Sequence, residues 1–325
     1  MVWRYYGAKR VASPRGFSLS DSNHQYKRPI MRQRALEQRV MRQMNKANKD
    51  FGMIREGDKI LVALSGGKDS YCLLWGLQKM AAAAPFELPL VAYHLDQGQP
   101  NYDGAPMKRF MEGLDIPSEI EGQDTYSRVL DLTEEGRTYC SVCSRFRRAI
   151  LYKAADRHGC NKVALGHHRD DLIETLLLNL FYSGQTKSMP PRLLNDRGTH
   201  ELIRPMAYTR EEDLVALAQF HEYEIMPCNL CGSQLTRRQY VKKLLKDMSK
   251  DQPHLKGNLL AALGNIHPSH MLDATLNPLY PSTEKLDPKD QLNQDSDGAY
   301  PEGGLPSLPS SAGPKSLPIL SPNVS

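Results

Sequence analysis

The hexapeptide Ser65-Gly66-Gly67-Lys68-Asp69-Ser70 follows directly on the apolar run Ile60 to Leu64, and a second apolar-periodic segment opens immediately after it. A strand that ends in two glycines and hands over to a helix builds an anion cradle. Glycines bend tightly and let backbone N–H groups approach a phosphate, the helix start adds a partial positive charge, and Lys68 adds a full one. The spacing excludes a Walker A loop, which needs four residues between its first glycine and the Gly-Lys-Ser/Thr triplet. An ordinary Gly-Gly turn with Asp69 or Ser70 as helix N-cap is the plainer alternative. The strand before and the helix after favour the cradle.

Sulfur chemistry is the second possibility. Six cysteines occur, and four of them form two C-x-x-C pairs, Cys140-Ser-Val-Cys143 and Cys228-Asn-Leu-Cys231, while Cys72 and Cys160 read as small buried apolar residues. Each pair brings two thiolates within reach of one metal, so structural zinc, an iron–sulfur cluster and a redox dithiol all satisfy the spacing. The 84 residues between Cys143 and Cys228 exceed the roughly 15 to 20 of a zinc ribbon, so any shared site must be closed by the tertiary fold. Arg145, Arg147 and Arg148 follow the first pair, and cations beside thiols lower their pKa, which favours an open functional site over a closed structural knot. A disulfide framework is not expected in a cytoplasmic chain.

The elements that position these residues read as alternating strands and helices. A helix is expected over Tyr71 to Ala83, a strand over Leu88 to Leu95 ending at Asp96, a helix near Tyr102 to Leu114 and a short edge strand at Pro117 to Glu121. An amphipathic helix over Ser141 to His158, a buried strand at Lys162 to Leu165 and a helix from Leu172 to Tyr182 follow, with Gly166-His167-His168-Arg169-Asp170-Asp171 between the last two. Thr209-Arg210-Glu211-Glu212 reads as a capping box opening a helix to about Tyr223, and helices fill Leu235 to Asp247 and Leu255 to Ile266. The alternation implies an α/β fold with a doubly wound parallel sheet and ligands at the carboxyl ends of its strands. The loop at Ser65, Asp96 and the His167 to Asp171 segment then share one edge.

Charge and composition set the outer limits. With 40% hydrophobic residues in 325, the chain can bury a sizeable core. No apolar run approaches the roughly 18 residues of a membrane span, and a cytoplasmic location is expected. Residues 1–50 hold 12 Lys/Arg against 3 Asp/Glu, whereas residues 281–325 hold 3 against 6. We therefore read residues 1–50 as a basic arm and helix, 51–275 as the nucleotide domain and 281–325 as a disordered Pro/Ser/Gly-rich tail. In a helix from Pro29 to Lys49, Leu36, Val40 and Met44 form a docking stripe, while Arg32, Arg34, Arg39, Arg42, Lys46 and Lys49 either meet a polyanion such as RNA or are simply solvated.

The hexapeptide resembles the PP-loop of ATP pyrophosphatases. Taken with Cys-Ser-Val-Cys-Ser-Arg-Phe-Arg-Arg from Cys140, Ala164-Leu165-Gly166-His167-His168-Arg169-Asp170-Asp171, Met189-Pro190-Pro191 and the Pro227 to Gln234 segment, it makes residues 30–275 similar to the tRNA 2-thiocytidine synthetase family. Lysidine synthetases share the loop and a His-His-x-Asp-Asp motif but lack the cysteine pairs; related thiouridine enzymes carry zinc-finger cysteines at both ends, which this chain does not have. The resemblance implies adenylation by ATP of the C2 oxygen of cytidine 32 in the tRNA anticodon loop, then displacement of AMP by sulfur from a cysteine desulfurase. It implies a [4Fe-4S] cluster held by Cys140, Cys143 and Cys228 with one iron open to hydrosulfide, leaving Cys231 without an assigned role, and a homodimer. Within it, Ser65, Gly66, Gly67, Lys68, Asp69, Ser70, Asp96, Gly166 and His167 are the ATP-contacting set. Lys68, Asp69, Asp170 and Asp171 serve catalysis with Mg²⁺, and His167 and His168 stay open between catalysis and packing. The competing readings are a non-catalytic, zinc-stabilised nucleotide- and RNA-binding protein and a different PP-loop tRNA-modifying ligase.

Overall fold

The computed structural model describes residues 22–100, 102–132, 139–226, 237–273 and 276, with the backbone alone for 22–30, 130, 132 and 139–144. The basic residues before 22, the Cys228 to Cys231 pair and the tail from 281 lie outside the described residues.

The run Ile60–Leu64 forms β1, and its side chains alternate between two layers: Ile60, Val62 and Leu64 join one core and Leu61 the other. It is flanked in parallel by β2 (Leu90–Asp96) and β4 (Lys162–Ala164). Outside these lie β3 (Ser118–Gly122), parallel to β2 and at the sheet edge as expected, and β6 (Glu201–Ile203), parallel to β4. The far edge is β5 (Arg192–Leu194), antiparallel to β6, so the order is β3-β2-β1-β4-β6-β5. Sequence periodicity missed β5 and β6, because three residues are too few to show an alternation. The order reverses between β1 and β4, which opens a crevice outside their carboxyl ends, where the Ser65 loop and the Gly166 segment both begin.

Three helices cover one face: α1 (Ser22–Phe51), α2 (Lys68–Ala83) and α7 (Glu211–Phe220). Helix α1 runs longer than expected at both ends. Its stripe Leu36, Val40 and Met44, continued by Ala47, is buried in the main core with α2, so residue 50 is a charge boundary and not a packing boundary. Gly76 lets the two helices approach, since a side chain there would collide with the Met44 sulfur. Arg39 is drawn off the cationic surface by a forked pair with Asp213 on α7 (Nη2 to Oδ1 2.6 Å), whereas Arg32, Arg34, Arg42 and Lys49 remain exposed.

On the opposite face α5 (Tyr139–Arg157) packs Ile150, Leu151, Ala154 and Ala155 against the sheet. Helices α3 (Ala105–Glu112) and α4 (Thr125–Leu132) bridge the β2–β3 side. A satellite layer joins α6 (Arg169–Ser183), α8 (Arg237–Asp251) and α9 (Leu255–Ala262) through Ile173, Leu177, Val241 and Leu245. Cys72 and Cys160 are buried free thiols, and burial pushes both up, Cys72 to about 12, which suits the packing role read from sequence. Among the described residues no helix is long and apolar enough to cross a membrane.

Candidate functional site: a phosphate loop at the switch point

Gly66 holds the turn after β1 at φ +79°, a left-handed conformation that suits glycine, and a Cβ there would lie 2.7 Å from the Met226 sulfur. The loop is stapled from within. Ser70 Oγ accepts from the Ser65 N–H (3.1 Å) and donates to the Gly67 carbonyl (2.8 Å), and Ser65 Oγ accepts from the Gly67 N–H (3.3 Å). Gly67, and neither Asp69 nor Ser70, is the N-cap of helix α2, and no side chain caps it. Its first N–H groups therefore point toward the crevice as an anion seat.

Lys68 Nζ lies 3.0 Å from Asp69 Oδ2 and 3.3 Å from Glu211 Oε1. Burial pulls this ammonium down, but the two carboxylates outweigh it and its pKa is raised, so Lys68 stays charged in the crevice. Glu211 is also held by Lys242 of α8 (3.1 Å), and Lys242 and Arg238 close on the buried Glu174 of α6 (3.6 and 2.9 Å). Burial pushes the Glu174 carboxyl up despite those two cations. The result is a half-buried ladder of alternating charge, Lys68–Glu211–Lys242–Glu174–Arg238, along one wall of the crevice. Of this ladder, the sequence marks only Lys68 as a site residue, and Glu211 only as part of a helix start. The rest could have been suspected only from the acidic start of α7 and the basic run of α8.

The Gly166 to Asp171 segment adjoins this ladder, through Asp171 to Arg238 and Asp170 to the Glu211 N–H. Gly166 presses against the start of α2, where an added Cβ would sit 3.2 Å from the Asp69 carbonyl carbon and the Ser70 nitrogen. Gly166→Ala is thus expected to displace the phosphate loop and weaken ATP binding about tenfold with little loss of secondary structure, as measured by titration calorimetry and circular dichroism. The His168 side chain is 3% exposed, with Nε2 3.4 Å from Asp171 Oδ2 and 3.8 Å from Asp69 Oδ1. Its Nδ1 and Asp69 Oδ1 are buried without a hydrogen-bond partner. Asp171 accepts from the His168 N–H at the start of α6 (3.1 Å) and lies 3.6 Å from Arg238.

Asp170 serves otherwise. It is 2% exposed, pairs with Lys256 of α9 (2.6 Å) and Arg169 (3.2 Å), and accepts from the Glu211 N–H (3.0 Å). Burial alone would raise this carboxyl, yet Lys256 and Arg169 hold it at about 2. It is a strut binding α6, α7 and α9, and it replaces the capping box expected at Thr209, whose hydroxyl makes no hydrogen bond. Asp96 ends β2 on the same edge, where its carboxylate accepts from the Gly98 N–H (2.9 Å). Beside it His94, overlooked in the sequence, spans the Leu64 carbonyl (2.8 Å) and the Tyr102 hydroxyl.

His167 accepts from Arg204 Nε (3.2 Å), and burial, then the Arg204 charge, lowers its pKa to about 4. The neutral ring is the folded form. Its contribution to stability is therefore complete above the ordinary value of 6.5 and is lost as pH falls from there through 4. Thermal melts between pH 7 and 4 are expected to lose up to about 3 kcal/mol on this account, and His167→Asn to flatten that part of the curve.

Cys140 and Cys143 lie in the first turn of α5. The far end of α5 sits beside β3 and the start of β1, through Arg157 to Glu119 (2.7 Å) and the Asn161 N–H to the Lys59 carbonyl (3.1 Å). Its first turn is therefore at the carboxyl edge, the edge of the phosphate loop. Met226, two residues before Cys228 in the sequence, donates its N–H to the Gly66 carbonyl (2.9 Å), so the last described residue before the second cysteine pair is tied to the loop. Cys228 and Cys231 themselves lie outside the described residues, as do the side chains of Cys140 and Cys143.

A family model for the PP-loop domain matches residues 35–246. A tRNA-cytidine(32) 2-sulfurtransferase of Anaeromyxobacter sp. (strain Fw109-5) is 48% identical over 277 residues, 85% of this chain and 91% of that protein. The protein of that name from Paracidovorax citrulli is 45% identical over 86% of this chain and 89% of its own. Among solved structures, the U34-tRNA thiolase NcsA from Methanococcus maripaludis, with its [4Fe-4S] cluster, aligns with a TM-score of 0.57 at 23% identity, over 73% of this chain and 81% of that one, a likeness of fold. The chain belongs to the PP-loop proteins and, within them, to the tRNA-cytidine(32) 2-sulfurtransferase family.

Proposed function

We propose that this protein converts cytidine 32 of a tRNA anticodon loop to 2-thiocytidine, using ATP to activate the C2 oxygen and sulfur passed on from a cysteine desulfurase. The observation that carries the reading is the convergence on one sheet edge of an anion-binding loop and the helix turn bearing Cys140 and Cys143, in a chain 48% identical to a tRNA-cytidine(32) 2-sulfurtransferase. The C2 oxygen attacks the α phosphorus, the α–β bridging P–O bond breaks and pyrophosphate leaves. Lys68 and the first N–H groups of α2 hold the departing negative charge. A thiol reductant supplies the two electrons that release the persulfide sulfur of the desulfurase as hydrosulfide; hydrosulfide adds at C2, AMP departs with the oxygen, and loss of the S–H proton leaves the thiocarbonyl. Unpaired anticodon-loop bases can be splayed out for such chemistry, which a paired base could not undergo.

Asp69 and Asp171 are the residues suited to Mg²⁺, because a buried carboxylate oxygen with no hydrogen-bond partner, Asp69 Oδ1, fits a cation. That ion would offset phosphate charge. Asp170, fully engaged by cations and an N–H, is assigned to holding the three helices together. Cys140, Cys143 and Cys228 suit a [4Fe-4S] cluster: three thiols are available, two at the start of α5 on the loop edge and one two residues after Met226, which is hydrogen-bonded to Gly66, on a fold for which a cluster-bearing thiolase is known. When bound, the cluster supplies an iron position for sulfur beside the activated base. The alternatives differ in product and metal, which defines the test. Chain purified without oxygen and supplied with ATP, Mg²⁺, tRNA, a cysteine desulfurase with cysteine, and a thiol reductant should yield 2-thiocytidine on nucleoside analysis, with iron and acid-labile sulfide in the protein. Zinc alone with no thiolated product would overturn the proposal in favour of a nucleotide- and RNA-binding protein.

A further inference from the structure

Phe181 and Tyr182, near the end of α6, are 51% and 39% exposed, although the same helix buries Ile173 and Leu177 against α8. Their rings meet edge to face, with centroids 6.4 Å apart and planes at 79°. Arg237, the first residue of α8, lays its guanidinium over the Tyr182 ring, 4.6 Å from the centroid. Leu180, 41% exposed, completes an apolar patch that the domain core does not use. Exposed rings beside a cation suit an unpaired base, whose flat π face stacks on them and whose phosphate meets the charge.

The charge around the patch has the matching sign. Helix α8 carries six Lys and Arg against two Asp. Arg238 and Lys242 turn inward to Glu174 and Glu211, while Lys243, Lys246 and Lys250 are exposed at i, i+3 and i+7, with the half-exposed Tyr240 alongside. A basic stripe thus runs along the outer face of the helix whose inner face walls the crevice. Position completes the argument. The loop after α6 folds back to the crevice: Asn179 Nδ2 donates to the Lys187 carbonyl (2.9 Å), Ser188 Oγ to the Leu172 carbonyl (2.6 Å), and Arg204, the partner of His167, to the Pro190 carbonyl. The patch, the stripe and the phosphate loop are linked through these two helices and the returning loop.

The geometry points to a base-stacking platform in which Phe181, Tyr182 and Arg237 hold an unpaired nucleotide of the anticodon loop beside the reacting cytidine, while Lys243, Lys246 and Lys250 follow the adjoining phosphates. It rests on the reading above for the identity of the RNA. The stacking itself needs only a single-stranded nucleotide.

The test compares the affinity of the full chain for an isolated anticodon stem-loop and for a blunt RNA duplex, across a series of salt concentrations. The Phe181→Ala/Tyr182→Ala double variant should bind the stem-loop about 10- to 100-fold more weakly and the duplex unchanged. Tyr182→Phe should retain binding, and Arg237→Gln should weaken it by about fivefold. Replacing Lys243, Lys246 and Lys250 with Ala should weaken both RNAs and make the salt dependence shallower. Thermal melting verifies folding, and the single variants carry the test if the double one does not fold. Equal stem-loop affinity for folded variants and wild type overturns the platform. So does a variant that turns dimer into monomer with RNA affinity intact, which would make the patch a subunit contact. Platform-dependent stem-loop binding with no 2-thiocytidine formed in tRNA would leave the platform standing and remove the reaction assigned above.

Discussion

Lys68→Ala is expected to lower RNA-dependent pyrophosphate release by about 100- to 1,000-fold, the usual cost of removing one preorganised donor from a developing negative charge. The same substitution should leave the fold nearly untouched. Lys68 bridges two half-buried carboxylates, but Glu211 keeps Lys242 as partner and the Asp69 side chain remains partly exposed, at 28%. A loss of about 1 kcal/mol or less in a denaturant titration is the expected stability change. Pyrophosphate release at the wild-type rate in Lys68→Ala would show that the loop does not seat the triphosphate. Iron content should not change, which separates a defect in activation from one in sulfur delivery.

The cysteine series should divide the other way. Cys140→Ala, Cys143→Ala and Cys228→Ala are each expected to lose iron and acid-labile sulfide and to form no 2-thiocytidine, while retaining RNA-dependent pyrophosphate release. Three thiolates are the fewest that hold a cubane and leave an iron open. Cys231→Ala is expected to keep its iron. Iron lost in Cys231→Ala and kept in Cys228→Ala would reverse the ligand assignment, and zinc in all four variants would remove the cluster altogether. Measured together, pyrophosphate, iron and thiolated nucleoside assign each variant to activation, cluster or transfer.

What was legible in the sequence was local. The phosphate turn, β1, β2, β4 and the buried stripe of α1 each depend on neighbours within one element, where periodicity and glycine placement carry the signal. The charge ladder was not legible, because its members come from α2, α6, α7 and α8, and no spacing rule relates Lys68 to Glu211 or Glu174 to Lys242. Asp170 illustrates the ambiguity of a motif. Two adjacent acids after a His-His pair look equivalent on paper, yet one is buried under Lys256 and the other sits at the helix start facing Arg238. Thr209 misled for a related reason: the first N–H of α7 finds its acceptor on Asp170, from a different helix, so the hydroxyl is not needed. Short strands at an edge, β5 and β6, form because β4 offers a template, which is a tertiary cause.

Helix α1 also bears on how the chain must be made. Its stripe of Leu36, Val40, Met44 and Ala47 leaves the ribosome well before α7, since the Asp213 that pairs with Arg39 lies 174 residues further along. At roughly 5 to 20 residues per second, the stripe stays partly uncovered for about ten seconds or more during synthesis. Nascent chains stalled before residue 211 should therefore be the ones that bind chaperones and aggregate, and those stalled well beyond residue 220 should not. The exposed arginines flanking the stripe would then have a second use, keeping an unfinished chain in solution until its last covering helix arrives.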